Sequence, residues 1–227
     1  MALPVALEQL IGPERIALLR EVALMPRDLG AVMPDARVGD DVVVLVHGFL
    51  ASAGVFRPLR ARLEAEAGVR VASFTHAPGA RIDRIARRLQ RLVERLPLGT
   101  RITIVGHSMG GIVARYYVQE LGGHARVSQT ISLAAPFGGV DVPRLLIGAD
   151  LHERSTLLEK LRAGAGACGV PHTSIVGSDD TVVGVHGAAL GFGDFVVLPD
   201  RGHNQLLFCD RVAELTLELL ARVRDRV

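Results

Sequence analysis

Residues 102–111 read ITIVGHSMGG, an apolar, largely β-branched run that leads into a serine flanked by glycines. The run predicts a buried strand, and the pattern Gly106-x-Ser108-x-Gly110 predicts a tight turn from that strand into a helix. Small residues are needed on both sides of the serine, because such a turn brings the strand and the next helix into close contact. We therefore expect the Ser108 hydroxyl at the carboxyl end of the strand and at the N-terminus of the helix.

Strand and helix patterns alternate on both sides of this turn. Short apolar runs without polar alternation are typical of parallel strands that are buried on both faces. Longer stretches between them carry apolar residues at helical spacing. The predicted strands are 42–46, 69–75, 102–105, 127–134, 172–177 and 195–198, and the predicted helices are 55–67, 82–96, 109–121 and 206–223. The sequence thus predicts an α/β fold, with a mostly parallel sheet of about six strands and helices on both faces.

Two segments lie outside this alternation. Residues 5–24 have leucine and isoleucine at helical spacing, interrupted by Gly12 and Pro13, so we predict an N-terminal helical arm over 1–35 and a main domain over 36–227. Residues 136–170 follow the predicted strand 127–134 and are rich in apolar side chains. They form either a short lid or an ordinary helix packed on the sheet, and the sequence does not separate these two interpretations.

Composition excludes several classes of protein. The chain has 227 residues, of which 49% are hydrophobic and 22% charged, which excludes a disordered or fibrous protein. A formal net charge of +2 gives no electrostatic basis for binding nucleic acid. Cys168 and Cys209 fit neither a disulfide framework nor a metal site, and we expect them to be free thiols. No metal and no cofactor are expected for this chain. The first residues lack a signal-peptide pattern and no apolar run could span a bilayer, so we expect a cytoplasmic protein.

A serine on a tight turn indicates nucleophilic catalysis, which needs a general base and a carboxylate that orients it. For this motif the chain order is serine, acid, histidine, so both partners should follow Ser108. Asp179 and Asp180 follow the predicted strand 172–177, and His203 follows the last predicted strand. His203 is the predicted base, with His186 as the alternative. The residues alone favour Asp180 over Asp179 without deciding between them.

The reaction also needs N–H groups that stabilise negative charge on the substrate oxygen. Met109 N–H, directly after the serine, is the first predicted donor, and Phe49 N–H, in the loop after the strand 42–46, is the second. His107 is expected to pack against neighbouring strands. The predicted substrate-binding residues are His47, Leu50, Phe137, Leu145 and Leu146. For His47, the sequence favours a structural role, in which the side chain forms hydrogen bonds within the loop without transferring protons.

Three stretches resemble one known superfamily. His47-Gly48-Phe49, residues 106–117 (GHSMGGIVARYY) and residues 134–138 (AAPFG) look like an α/β-hydrolase, specifically the bacterial lipase and esterase branch. In that branch the triad aspartate tends to stand before x-Val-Val, which Asp180-Thr-Val-Val183 matches and Asp179 does not. The resemblance therefore implies a triad of Ser108, Asp180 and His203. It covers about residues 41–223. Calcium, which many relatives bind, is not expected from the spacing of Asp194, Asp200 and Asp210.

These observations favour a serine hydrolase that cleaves small-molecule esters or lipids with an apolar acyl group. An acyltransferase or thioesterase with the same triad is one alternative, and a catalytically silent binding protein with this fold is another. The arginines of the predicted helix 82–96 are interpreted as a solvated face. Peripheral membrane contact through that helix and the arm is kept as a further hypothesis, and the oligomeric state is not predicted.

Overall fold

A computed structural model describes residues 12–141 and 149–225, and a sheet forms the centre of this part of the chain. Its strands are β1 (Ala31–Val32), β2 (Asp41–Val46), β3 (Arg70–Phe74), β4 (Arg101–His107), β5 (Val127–Leu133), β6 (His172–Gly177) and β7 (Asp194–Leu198). They lie in the order β1-β3-β2-β4-β5-β6-β7. β2 to β7 are mutually parallel, which confirms the six predicted strands.

The sequence did not predict β1. This two-residue strand pairs in the antiparallel sense with the outer edge of β3, with Ala31 opposite Phe74 and Val32 opposite Ser73. A strand this short, in a stretch rich in proline, glycine and aspartate, has no periodicity of its own, so only its partner shows it. The predicted arm 1–35 includes β1, although β1 belongs to the sheet. The division at residue 35 stays a prediction.

Helices cover both faces of the sheet. They are α1 (Pro13–Leu24), α2 (Arg57–Ala67), α3 (Ile82–Glu94), α4 (Met109–Glu120), α5 (Thr156–Ala163) and α6 (Asp210–Arg224), with short 3₁₀ helices that include Ala53–Phe56 and Asn204–Phe208. The last helix begins at Asp210, four residues later than predicted. Cys209 adopts an extended conformation that separates the preceding 3₁₀ helix from α6. The other predicted helices agree with the structure to within about three residues.

The residues of β2 show why its sequence does not alternate. Val42, Val44 and Val46 pack into one apolar layer with α3, α4 and α5, whereas Val43 and Leu45 pack into the opposite layer with α2 and α6. All five side chains have no solvent-exposed surface. A strand with an apolar layer on each side needs apolar residues at every position.

The segment 136–170 contains α5, which buries Leu158 and Leu161 in the apolar layer that also contains Val42, Val44 and Val46, as an ordinary packed helix does. The predicted substrate contacts Leu145 and Leu146 lie outside the described residues, and the lid is kept as a prediction. The arginines of α3 are mostly exposed, and Arg88 lies 5.3 Å from the centre of the Phe74 ring. None of the described helices has the length and apolar character needed to cross a bilayer.

Candidate active site

Ser108 joins β4 to α4 in a backbone conformation that few residues with side chains adopt. Its φ is 51° and its ψ is −125°, and its N–H donates to the Leu133 carbonyl at 2.8 Å. A non-glycine residue at such angles costs about 1–3 kcal/mol and is a frequent feature of active sites. The Ser108 side chain is therefore held at the carboxyl edge of the sheet and at the N-terminus of α4.

The glycines around Ser108 are dictated by contacts of the backbone. A Cβ atom at Gly106 would lie 2.3 Å from the carbonyl carbon of Gly110, and one at Gly110 would lie 2.0 Å from the Val46 carbonyl oxygen. Both distances are too short for non-bonded atoms, so only glycine, which has no Cβ atom, fits at these two positions. This confirms the expected reason for the two glycines.

Asp180 and His203 form a buried hydrogen-bonded pair at the same edge of the sheet. His203 Nδ1 donates to Asp180 Oδ2 at 2.8 Å, and the backbone N–H groups of Val182 and Val183 donate to Oδ1 at 2.9 Å each. Burial opposes ionisation of this carboxyl. The bond and charge of His203 and the two N–H groups outweigh burial, so the pKa of Asp180 is lowered. An ionised Asp180 accepts the Nδ1 proton of His203, and this leaves Nε2 as the ring nitrogen that can accept a proton.

The alternatives that the sequence left open lie elsewhere. Asp179 is exposed and accepts a hydrogen bond from the Ser178 hydroxyl at 2.7 Å. His186 is exposed, in a short 3₁₀ helix before β7. The structure thus brings Asp180, and not its neighbour, to His203.

His107 links the serine turn to the histidine loop. Its Nε2–H donates to the His203 carbonyl at 3.2 Å, and the two ring centroids are 4.9 Å apart. Burial is the main cause that lowers the pKa of His107 to about 3, so the ring is neutral. Among the described residues, no group forms a hydrogen bond with Ser108 Oγ. In unliganded enzymes such catalytic hydrogen bonds are often long and shorten only in the substrate complex.

The loop after β2 lies directly against the serine. A Cβ atom at Gly48 would lie 3.0 Å from Ser108 Cβ. Next to it, His47 Nδ1–H donates to the Gly48 carbonyl at 2.9 Å, while His47 Nε2 accepts the His76 N–H at 3.0 Å. Burial and the nearby His76 lower the pKa of His47 to about 3, which fits a neutral ring that both donates and accepts.

These bonds set the direction of the next N–H group. The Gly48 carbonyl and the Phe49 N–H belong to one planar trans peptide and point in opposite directions. Because His47 holds the carbonyl on its own side, the Phe49 N–H points away from His47. Within the described part of the chain, neither Phe49 N–H nor Met109 N–H is bonded to a backbone or side-chain acceptor. Both predicted donors are therefore available.

The predicted substrate-binding residues have different environments. His47 and Phe137 have no exposed surface; His47 has the loop-holding contacts just described, and Phe137 packs edge-on against His172. Neither side chain offers a surface to a ligand in this conformation. Leu50, by contrast, is 57% exposed, and Phe49 is half-buried.

One sizeable cavity of the described residues lies away from Ser108. A cavity of about 620 Å³ lies between α1, the 3₁₀ helix Asn204–Phe208 and α6, and its lining includes none of the candidate triad residues. In residues 12–141 and 149–225, no cluster of three or more histidine, cysteine, aspartate or glutamate side chains is arranged to hold a metal ion.

Two residues at the site were not singled out from the sequence. His76 stacks on His47 with ring centroids 3.7 Å apart, and its position directly after the β3 segment was the available signal. Glu14 on α1 accepts hydrogen bonds from the backbone of the residues that follow His203. No pattern around Glu14 indicates this contact, because it depends on where the arm packs.

Comparisons with known proteins agree with this fold. The family model for the alpha/beta hydrolase fold matches residues 41–174. A Paleococcus ferrophilus monoacylglycerol lipase is similar in structure, with a TM-score of 0.67 and 16% identity over 85% of this chain and 100% of the lipase. A mature Bacillus licheniformis lipase gives 0.68 and 14% identity over 84% and 96% of the two chains. A Thermogutta terrifontis esterase gives 0.58 and 21% identity over 82% and 92%.

Proposed function

Since the chain belongs to the α/β-hydrolase family, we propose that it is a serine hydrolase that cleaves carboxylic esters. Ser108 is the nucleophile, His203 the general base and Asp180 the residue that orients the base. The buried hydrogen bond from His203 Nδ1 to Asp180 carries the proposal. A buried carboxylate that fixes the tautomer of a histidine, beside a serine in a strained turn, is the arrangement that activates a hydroxyl as a nucleophile.

In the first half of the reaction, Ser108 Oγ attacks the ester carbonyl carbon. Its proton passes to His203 Nε2, and the carbonyl becomes a tetrahedral oxyanion. The intermediate collapses as the bond to the alcohol oxygen breaks, and His203 returns the proton to the departing alcohol. Asp180 keeps its negative charge throughout and stabilises the imidazolium.

The Met109 and Phe49 N–H groups donate to the oxyanion. These N–H groups stabilise the oxyanion efficiently because they already point towards it and need no rearrangement when the charge develops. His47 supplies this orientation for Phe49 by holding the Gly48 carbonyl. In the second half of the reaction, His203 takes a proton from water and the water oxygen attacks the acyl carbon. The bond from the acyl carbon to Ser108 Oγ then breaks, His203 returns the proton to Oγ, and the carboxylic acid is released.

The substrate class that fits best is a small-molecule ester or lipid with an apolar acyl group. Two apolar residues, Phe49 and Leu50, directly follow Gly48, whose backbone lies against Ser108, and Leu50 is 57% exposed. The similar structures include a monoacylglycerol lipase and an esterase, which agrees with this class.

The test is hydrolysis of p-nitrophenyl esters of increasing chain length, combined with a phosphonate label located by mass spectrometry. We expect turnover by the native chain and label on Ser108. Ser108→Ala should lower kcat by about 10⁶-fold. Ser128→Ala, which changes a half-buried serine at the start of β5, is the matched control and should keep the native rate.

The other interpretations give different results. Faster acyl transfer to an added alcohol than to water would identify an acyltransferase, and a strong preference for a thioester would identify a thioesterase. A folded protein that shows neither turnover nor label would contradict the proposal and favour a binding protein with this fold.

A further inference from the structure

We propose that Glu14, on the N-terminal helix α1, is a positioning residue for His203. This inference rests on the proposed function, because it assigns a role to the arm in holding the general base. Pro13 begins α1, and Glu14 lies in its first turn. No catalytic role was predicted from the sequence for this arm.

Both carboxylate oxygens of Glu14 bind the backbone directly after His203. Oε1 accepts the Asn204 N–H at 2.7 Å, and Oε2 accepts the Gln205 N–H at 3.1 Å. These N–H groups open the 3₁₀ helix that follows His203 and have no partner within that helix. Hydrogen bonds to an ionised acceptor are about twice as strong as neutral ones. Glu14 therefore fixes the direction in which the chain leaves His203.

The residue before His203 is shaped to receive the same carboxylate. A Cβ atom at Gly202 would lie 2.4 Å from Glu14 Oε2, so only glycine lets the carboxylate approach. The Gly202 N–H donates to the Gln205 side-chain oxygen at 2.8 Å, and this bond links the two ends of the segment that contains His203. Glu14 thus contacts the backbone on both sides of the histidine.

With Glu14 included, His203 is held at three points. Asp180 binds the ring at Nδ1, His107 binds the carbonyl, and Glu14 binds the next two N–H groups. Without Glu14, the Asn204 and Gln205 N–H groups would have no other hydrogen-bond partner in the described part of the chain. A displacement of about 1 Å in a catalytic group can lower the rate about 100-fold.

The arm itself is fixed at its other end, so Glu14 has a rigid support. A Cβ atom at Gly54 would lie 2.2 Å from the Leu24 carbonyl oxygen, and the Ser52 hydroxyl donates to the Arg27 carbonyl at 3.2 Å. Glu21, between these ends, is 5% exposed, and burial raises its pKa. Two glycines, Gly54 and Gly202, therefore accommodate the two ends of one helix.

The decisive variant is Glu14→Gln, which keeps the shape of the side chain and removes its charge and one acceptor. We expect kcat for the ester to fall between about 10- and 100-fold, with KM changed by less than about threefold, because the acyl pocket is untouched. Amide hydrogen exchange at Asn204 and Gln205 should become faster. Glu64→Gln, an exposed glutamate on α2, is the matched control and should change none of these quantities.

Gly202→Ala provides a second, independent variant, because the added methyl group would displace the Glu14 carboxylate. Its kcat should fall by a similar factor, and the double variant should be no slower than the slower single variant, since both changes remove the same contact. All rates are measured at least about 10 °C below the onset of unfolding, so that a global loss of stability does not contribute.

The outcomes separate this inference from the proposed function. If Ser108→Ala leaves ester turnover unchanged, the proposed function fails. If turnover depends on Ser108 but Glu14→Gln and Gly202→Ala both keep the native kcat, the positioning role is overturned and the proposed function stands. Multiplicative losses in the double variant would likewise overturn it, because they would show that the two residues act separately.

Discussion

Each oxygen of the Asp180 carboxylate has a separate set of partners: Oδ2 accepts from His203 Nδ1, and Oδ1 accepts from the N–H groups of Val182 and Val183. The two hydrogen bonds from the backbone restrict the orientation of the carboxylate independently of its contact with the imidazole. His203 is thereby oriented by a group that cannot rotate. In the proposed mechanism this rigidity aims Nε2 at the Ser108 hydroxyl.

Replacing this carboxylate gives the sharpest test of the site. Asp180→Asn keeps the side-chain shape but presents an amide that favours the wrong tautomer of His203, so kcat should fall by about 10⁴-fold. Asp179→Asn changes the exposed neighbour and is the matched control. Comparable losses in the two variants, measured by steady-state ester hydrolysis, would contradict the assignment of Asp180.

His47 tests the second oxyanion donor. His47→Phe keeps an aromatic ring in the stack with His76 but loses the bond to the Gly48 carbonyl. The Phe49 N–H should then lose its direction, and kcat should fall by about 10²–10³-fold. KM should change little, because the donor acts on charge that develops during the reaction. The control is His124→Phe at an exposed position, and an unchanged kcat in His47→Phe would refute this role.

Gly110 tests the packing of the serine turn. A Cβ atom there would lie 2.0 Å from the Val46 carbonyl oxygen, so Gly110→Ala must separate α4 from β2. We expect a loss of about 3 kcal/mol or more in the free energy of unfolding, measured in urea. At Gly30 a Cβ atom would meet no atom within 4 Å, so Gly30→Ala should change stability by less than about 1 kcal/mol. Equal stability of the two variants would show that the turn can relax.

Buried histidines predict how stability depends on pH. Burial, followed by the charge of Arg115, lowers the pKa of His172 from 6.5 to about 3, so as the pH falls the unfolded chain binds a proton before the folded chain does. The contribution of the neutral His172 to the free energy of unfolding is fully present above pH 6.5 and is lost as the pH falls towards 3. Each such group contributes a slope of about 1.4 kcal/mol per pH unit.

A variant isolates the contribution of His172, which bonds the hydroxyls of Thr130, Ser132 and Ser174. His172→Gln should be less stable at pH 7. Between pH 6 and 4, however, its unfolding free energy should depend on pH less steeply by about 1.4 kcal/mol per unit. Urea titrations at three pH values measure both quantities. Parallel curves for the two proteins would show that His172 does not titrate as its burial requires.

Much of the fold and part of the site follow from local patterns. The apolar runs identified the six parallel strands, and the glycines around Ser108 identified the turn, because each depends on residues that are adjacent in the chain. Asp179 and Asp180 could not be separated by residue type. On a turn, consecutive side chains point in different directions, and only the loop that brings His203 near selects one of them.

Contacts between distant segments were beyond the reach of the sequence. Glu14 and Asn204 are separated by most of the chain, and the hydrogen bond between them involves a backbone group that carries no sequence signal. β1 is similar, since its two residues become a strand only because β3 offers an unpaired edge. Both features depend on where the arm lies, which a single sequence does not encode in any periodic pattern.

β1 also affects how the protein behaves in crowded solution. An unpaired strand edge can recruit another chain and begin aggregation. By pairing over two residues, β1 occupies part of the outer edge of β3. Among the described strands, the opposite edge is β7, where Phe195 and Val197 are each 42% exposed. A strand that adds to this sheet would therefore meet a partly occupied edge at β3 and a free, partly apolar edge at β7, and a charged residue in place of Val197 should make the β7 edge less prone to such pairing.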